Sequence, residues 1–209
     1  MTLLLKKPVF MKKMFKTIAL GVVASVMMAA PALALDKSEA EGFTDALITE
    51  LGQIAADGAL NDDSRDRAYR GALQSRLATE SIGKFLFKSV PADLPTEAQK
   101  VTYNQLFPSY IAAAFASEIG GLAERDINIT DSRERGETEV IVRSELVNSA
   151  GVKKASIDWR IREIDGQPRL LDVLVERVSP LVTKRQEFSS LAKREGVDAL
   201  IAHMKTVAN

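Results

Sequence analysis

The chain of 209 residues has no cysteine and a single histidine. Without cysteine there is no disulfide staple and no thiol chemistry, so the apolar core alone must hold the fold together. The lone His203 stands near the C-terminus, on the last helix, as a surface or packing residue. One histidine and no thiol would leave a zinc site to carboxylates almost alone, so neither a metal nor another cofactor is expected. No G-x-S-x-G, G-x-G-x-x-G or phosphate-loop pattern occurs, and no internal repeat, low-complexity tract or second domain. Asn128-Ile129-Thr130 fits a glycosylation sequon but falls in an expected strand.

What the chain does have begins with an export signal. Lys6, Lys7, Lys12, Lys13 and Lys16 precede the apolar run Ile18 to Ala30, and Ala32-Leu33-Ala34 supplies a small-x-small cleavage site. This reads as a secretory signal peptide over 1–34, cleaved after Ala34, with Ala32 the second choice and Met11 an alternative start. The run is too short and alanine-rich for a membrane span, and no cysteine follows it to bear a lipid anchor. Removing it takes five of the 28 basic residues and none of the 28 acidic ones, leaving 23 against 28 and a net charge of −5. An acidic exported domain is a poor nucleic-acid binder. The remaining 175 residues, 209 less 34, suit one domain, 35–209.

The first half of that domain is helical in period. Asp36 with Glu39 forms a capping box ahead of Phe43, Leu47, Leu51 and Ile54, and Gly58 is expected to end the helix. A second helix is expected to start at Asp62-Asp63-Ser64 and to carry Ala68, Tyr69, Ala72, Leu73 and Leu77. Thr79 to Val90 is a short, apolar connector with Ile82, Phe85, Leu86 and Phe87. Thr96 with Gln99 caps a third helix that runs to about Ile119, closed by Gly120-Gly121. Its stripe of Val101, Leu106, Phe107, Tyr110, Ile111, Ala114 and Phe115 is nearly free of charge, as in a helix covered on most sides.

After those glycines the period becomes two. Strands are expected at Asp126–Thr130, Glu139–Val147, Ala155–Ile164 and Arg169–Val178, with Asp165-Gly166 as a tight hairpin turn. Val140, Val142, Ser144 and Leu146 face inward, as do Ile157, Trp159 and Ile161, and Leu171, Val173 and Val175. Asp158, Arg160, Arg162, Asp172 and Glu176 face outward as a cross-strand salt lattice. Thr183 with Gln186 is a third capping box, followed by helix to Ala192, a break at Gly196 and a last helix, Val197–Val207. Lys184-Arg185 then falls at a helix start, against the dipole, where a partner or headgroup could meet it. The fold class is α+β, a four-stranded antiparallel sheet with helices before and after it.

The strand–turn–strand–helix unit resembles the MlaC family of exported phospholipid-binding proteins, also called the toluene-tolerance auxiliary family, from about Ala40 to Met204. The resemblance is carried by Asp158-Trp159-Arg160, Asp165-Gly166, Asp172-Val173, Val175-Glu176, Val178-Ser179, Thr183, Arg185, Glu187-Phe188 and Gly196-Val197-Asp198. A second block is Ile82-Gly83-Lys84-Phe85 and Leu106-Phe107 with Tyr110. The chain departs from the family pattern at Arg177, where glycine is usual, at Pro180, Lys184 and Gln186, and around Lys88 to Pro91. The resemblance implies a curved sheet wrapped by helices around an apolar cavity, similar to the nuclear transport factor two architecture. It implies a monomeric periplasmic carrier, not an enzyme. Such a carrier shuttles phospholipid between an outer-membrane lipoprotein complex and an inner-membrane ABC transporter complex, maintaining outer-membrane asymmetry. The acyl chains lie inside and the headgroup faces solvent.

The residues expected to contact lipid are Phe85, Phe87, Tyr103, Phe107, Tyr110, Ile111 and Phe115 from the helices, and Val142, Leu146, Trp159, Val173 and Val175 from the strands. The same residues would serve equally as ordinary core, because a filled and a hollow interior need the same residue types. Two other readings stand beside the lead. One is a carrier of a sterol-like lipid or quinone, or an adaptor with a filled core. The other is a cone-shaped isomerase or hydratase, which would need an ionisable pair inside, with Tyr103 and Tyr110 as candidates.

Overall fold

The computed structural model describes residues 35–93, 95–123 and 125–209; the expected signal peptide lies outside them. The order is α1 Lys37–Ala56, α2 Asp62–Gln74, α3 Thr79–Phe87, α4 Glu97–Ala123, β1 Asp126–Glu134, β2 Glu139–Val147, β3 Lys153–Ile164, β4 Gln167–Val175, α5 Pro180–Glu195 and α6 Val197–Ala208. The strands form one antiparallel sheet in the order β1-β2-β3-β4, so the class is α+β.

Asp36 caps α1 and a full capping box opens α4, as the sequence indicates. The Asp36 carboxylate accepts from the Glu39 amide at 2.8 Å, and Thr96 and Gln99 exchange bonds at 2.9 and 3.2 Å. Several other helix boundaries move. α1 stops at Asp57, whose carboxylate accepts from the Ala59 amide, rather than at Gly58. α2 does start at Asp62 as expected, and Asn61 caps it by accepting from the Ser64 amide. Leu77 leaves α2 and bridges the edge of β4 at Leu170, covering an otherwise open strand edge. The expected connector is itself helical, α3. Gly120 and Gly121 do not close α4, which continues to Ala123 with Gly120 under the Tyr69 ring.

α4 is long and apolar enough to cross a membrane by length and composition. Here its apolar residues are buried against α1, α2, α3 and α6 instead. α1 packs on β1, β2 and β4.

The sheet keeps the expected inward set with one correction. Val142, Trp159 and Val173 lie side by side across β2, β3 and β4, and Val140 and Ile161 pair next to them. A register shift then pairs Arg160 with Asp172 and Ile161 with Leu170, so that Leu171 is the extra residue. Leu170 takes the inward place, fully buried, while Leu171 joins Arg160 and Asp172 on the outer side. Simple alternation assigns Leu171 inward because it has no means of counting a bulge.

The Asp165-Gly166 turn has φ of 53° and 72° at its two positions, the mirror-type hairpin that such a pair favours. A second turn of this kind ends β4 early, at Val175 instead of Val178. Val175 and Val178 exchange backbone bonds at 2.9 and 3.2 Å around Glu176 and Arg177, whose φ values are 50° and 66°. A left-handed conformation costs a side-chain-bearing residue about 1 kcal/mol. Arg177→Gly should therefore raise the melting temperature by about 3 °C in a thermal scan. An unchanged or lower value would mean that the Arg177 side chain offsets the strain.

α5 begins three residues before the expected cap. Ser179 is the N-cap, accepting from the Val182 amide at 3.1 Å, and Pro180 occupies the first turn, where its missing N–H costs nothing. Thr183 instead donates to the Ser179 carbonyl within the helix. Lys184 and Arg185 consequently lie in the second turn. Lys184 reaches Glu118 at 4.0 Å, and Arg185 stacks over the Phe85 ring at 4.7 Å. Gly196, with φ of 86°, separates α5 from α6 as expected.

The outer salt lattice forms only in part: Asp158 pairs with Arg143, and Arg160 and Arg162 gather on Glu139 rather than on Glu176. Glu139 accepts from Arg160 at 2.7 Å and Arg162 at 3.0 Å, with Arg135 at 3.3 Å. Burial pushes the Glu139 carboxyl up, and those guanidinium bonds together with the charges of Arg160 and Arg135 outweigh it, holding it below its ordinary value. Asp172 is buried, accepts from the Ser179 hydroxyl at 2.6 Å, and has Arg160 at 3.9 Å. There burial wins, and the carboxyl is raised despite the Ser179 bond and Arg160. The two groups have opposite pH signs. Glu139 stabilises the fold above its unfolded pKa of about 4.3, and the gain is lost as pH falls through its lower folded value. Asp172 favours the fold below its unfolded value of about 3.9 and loses that gain as pH rises through its raised one. Glu139→Gln should cost about 2 kcal/mol in urea unfolding at pH 7, and the cost should shrink as the pH is lowered below the unfolded value. A cost independent of pH would show that the guanidinium bonds do not depend on the charge.

Candidate lipid site

α3 and α4 meet at a glycine. A Cβ at Gly83 would sit 3.1 Å from the Phe107 ring, so a larger residue there would push the two helices apart. The Tyr103 hydroxyl, on α4, donates to the Gly83 carbonyl at 3.0 Å and ties α3 down. Ser89, just past α3, donates to the Arg185 carbonyl at 2.9 Å and ties its other end to α5. α3 has nine residues, and no side chain caps its N-terminus. Ile82 and Leu86 anchor it in the core, alongside the Tyr103 and Ser89 hydrogen bonds.

Beside this contact lies a pocket of 620 Å³. Its apolar lining is Gly83, Phe87, Tyr103, Phe107 and Pro108, and Asn104 stands among them. Pro108 lacks the N–H that would make the regular helical bond to the Asn104 carbonyl. Thr79, Glu80, Lys84, Lys88 and Lys100 complete the lining. Behind it runs an aromatic row. Phe87 lies 4.6 Å from Tyr103, Tyr103 lies 5.2 Å from Phe107, and Tyr110 lies 5.4 Å from Phe188 of α5.

Neither tyrosine is placed to ionise. Burial raises Tyr103 far above its ordinary value, with Tyr110 adding to it, and burial raises Tyr110 likewise, with the Glu187 charge adding. Asp172, the buried carboxylate of β4, is committed to Ser179 and Arg160 on the sheet face opposite Trp159. The Tyr–Asp pair that the isomerase reading needs is therefore not assembled among the described residues. His203 is exposed, its ring 6.3 Å from that of Tyr110.

The twelve expected residues do not surround one cavity. Phe87, Tyr103 and Phe107 line the pocket just described. Phe85 is half-buried on another side of α3, beneath Arg185, where it lines a small cleft of 120 Å³ with Arg160 and Asp172. Tyr110, Ile111, Phe115, Val142, Leu146 and Val173 are buried in the continuous core. Trp159 is buried there too and borders a second, more polar cavity of 460 Å³ near Ile48, Leu51, Ile119 and Val147. Val175 is half-buried at the strand end.

Sequence reasoning missed Phe188, which closes the aromatic row from α5, and the three lysines at the pocket. For two of the lysines a local signal was present. Lys84 and Lys88 are four residues apart within an otherwise apolar segment, which places them on one side of a helix once that segment is read as helical.

The same architecture is found in a solved structure, that of a phospholipid-binding protein from Ralstonia solanacearum in complex with a phospholipid. It superposes with a TM-score of 0.63 at 18% sequence identity, covering 81% of this chain and 97% of that one. At the level of sequence, the model of the family described as MlaC protein matches residues 41–206, which spans α1 to α6 and includes every element that builds the pocket. The chain belongs to the MlaC protein family.

Proposed function

We propose that this protein is a periplasmic phospholipid carrier, exported by a cleaved signal peptide over 1–34 and folded over 35–209. In this reading it moves diacyl lipid between an outer-membrane lipoprotein complex and an inner-membrane ABC transporter complex, and it breaks no bond. Family membership supports the reading, as does the phospholipid held by the structurally similar Ralstonia protein. The observation that carries it in this chain is the apolar pocket between α3 and α4, backed by an aromatic row.

Two acyl chains have roughly 30 methylenes, and exposing them to water costs on the order of 25 kcal/mol. A carrier must therefore enclose them, which needs a volume at the upper end of ligand pockets, about 1,000 Å³. The α3–α4 pocket, at 620 Å³, is smaller. Loading thus requires α3 to swing away from α4, breaking the Tyr103–Gly83 bond, and partner docking shifts the population toward that open state. In the open state Phe87, Tyr103 and Phe107 meet the tails first. Phe85, Tyr110, Ile111, Phe115, Val142, Leu146, Trp159, Val173 and Val175 form the deeper wall that the tails then reach.

The test is transfer. Purified protein is added to vesicles bearing a labelled phospholipid together with unlabelled acceptor vesicles. The carrier reading expects a transfer rate linear in protein. Transfer no faster than the protein-free control would contradict it.

A further inference from the structure

The lysines around the α3–α4 pocket make only local, exposed ion pairs within their own helices. Lys84 and Lys88 project from α3 and its C-cap, Lys100 from α4, and all three line one pocket whose floor is Phe87, Tyr103, Phe107 and Pro108. Lys84 pairs with Glu80 at 2.5 Å, but both side chains are largely exposed, and Lys100 pairs with an exposed Glu97 at 2.7 Å. Lys88 has no ion pair among the described residues. The lining thus has three cations against one anion, Glu80, on a domain whose net charge after the leader is −5. Local charge opposite to that of the whole domain, placed at the mouth of an apolar pocket, is complementary to an amphiphile with an anionic head.

We propose that Lys84, Lys88 and Lys100 form a headgroup site that makes the protein prefer phospholipid of net negative charge over zwitterionic phospholipid. This rests on the carrier reading above. The phosphate lies among the three ammonium groups while the tails enter over Phe87 and Phe107. A zwitterionic head brings its own cation against the same lysines and loses part of the gain. Each lysine near an anionic head is worth about fivefold in affinity at low salt, and the gain is screened as salt rises.

The experiment uses vesicles of phosphatidylglycerol and phosphatidylcholine in equal parts. The protein is incubated with them, separated, and its bound lipid quantified by mass spectrometry. Because both lipids sit in the same vesicle, attraction of the protein to the vesicle surface cancels in their ratio. Phosphatidylglycerol should exceed phosphatidylcholine at least about fivefold at low salt. The ratio should approach one in 0.5 M NaCl and in the triple variant Lys84→Gln, Lys88→Gln, Lys100→Gln, whose folding is checked by circular dichroism. A ratio of one in the unmodified protein, or the same ratio in the triple variant, overturns the headgroup site while leaving the carrier reading in place. Uptake of neither lipid overturns the carrier reading itself. Inorganic phosphate at 10 mM should leave the total lipid bound unchanged; if it displaces the lipid, the lysines are a site for free anions and the proposal fails.

Discussion

Trp159→Ala should lower the unfolding free energy by about 4 kcal/mol, a fall of about 12 °C in melting temperature. Trp159 is fully buried and heads the large side chains of the interior. Val142 and Val173 flank it across the neighbouring strands, so the truncation opens a cavity that the rigid sheet closes poorly. Its indole N–H donates to the Ser144 hydroxyl at 2.9 Å, and that hydroxyl in turn reaches the Ile157 carbonyl at 3.4 Å. Trp159→Phe keeps most of the apolar area and loses only the indole bond, so about 1.5 kcal/mol is expected. Trp159 is the only tryptophan, so the variants are followed by far-ultraviolet circular dichroism in urea rather than by fluorescence. A cost under about 1 kcal/mol for Trp159→Ala would mean that the residue borders deformable space instead of packed core.

Fastening α3 to α4 should abolish loading. The chain has no cysteine of its own, so Thr79→Cys with Asn104→Cys gives a unique pair lining the α3–α4 pocket from its two helices. Bridging the pair with a cleavable bismaleimide holds α3 in place, and lipid uptake from vesicles should fall at least about tenfold. Cleaving the bridge should restore uptake, which separates a blocked opening from a damaged fold. Tyr103→Phe acts in the opposite direction. It removes the hydroxyl bond to Gly83 while keeping the ring, so loading and release should both quicken. Undiminished uptake with the bridge closed would mean that lipid enters elsewhere, the cavity beside Trp159 being the next place to look.

Much of the architecture was legible because the chain uses local signals that leave little choice. The Asp165-Gly166 turn fixes the β3–β4 hairpin, and the inward set Val142, Trp159 and Ile161 follows from strict alternation. The capping residues of α1 and α4 act within a few residues of themselves and were read correctly. The errors arose where a distant contact overrides a local rule. Gly120 stays helical because α2 and Tyr69 pack against α4 there. Ser179 caps α5 because Asp172, on β4, holds its hydroxyl. Leu171 turned outward because of a bulge that no periodicity announces.

The candidate site was half legible for the same reason. Aromatic residues at helical spacing pointed to Phe87, Tyr103 and Phe107, but they are also what a core contains. Only the position of α3 shows that these three open onto a pocket while Tyr110 and Ile111 do not. The lysine rim is assembled from two helices whose packing angle is set by Gly83 against Phe107, a contact between residues 24 positions apart. No local pattern in the chain encodes it.

The carrier account is tested most directly by purifying the protein from its own periplasm without detergent, extracting it with organic solvent and analysing the extract by lipid mass spectrometry. The account predicts diacyl phospholipid in near-stoichiometric amount. A lipid-free monomer that also takes up no phospholipid from vesicles would contradict it and leave the apolar residues of α3, α4 and the sheet as the ordinary core of an adaptor.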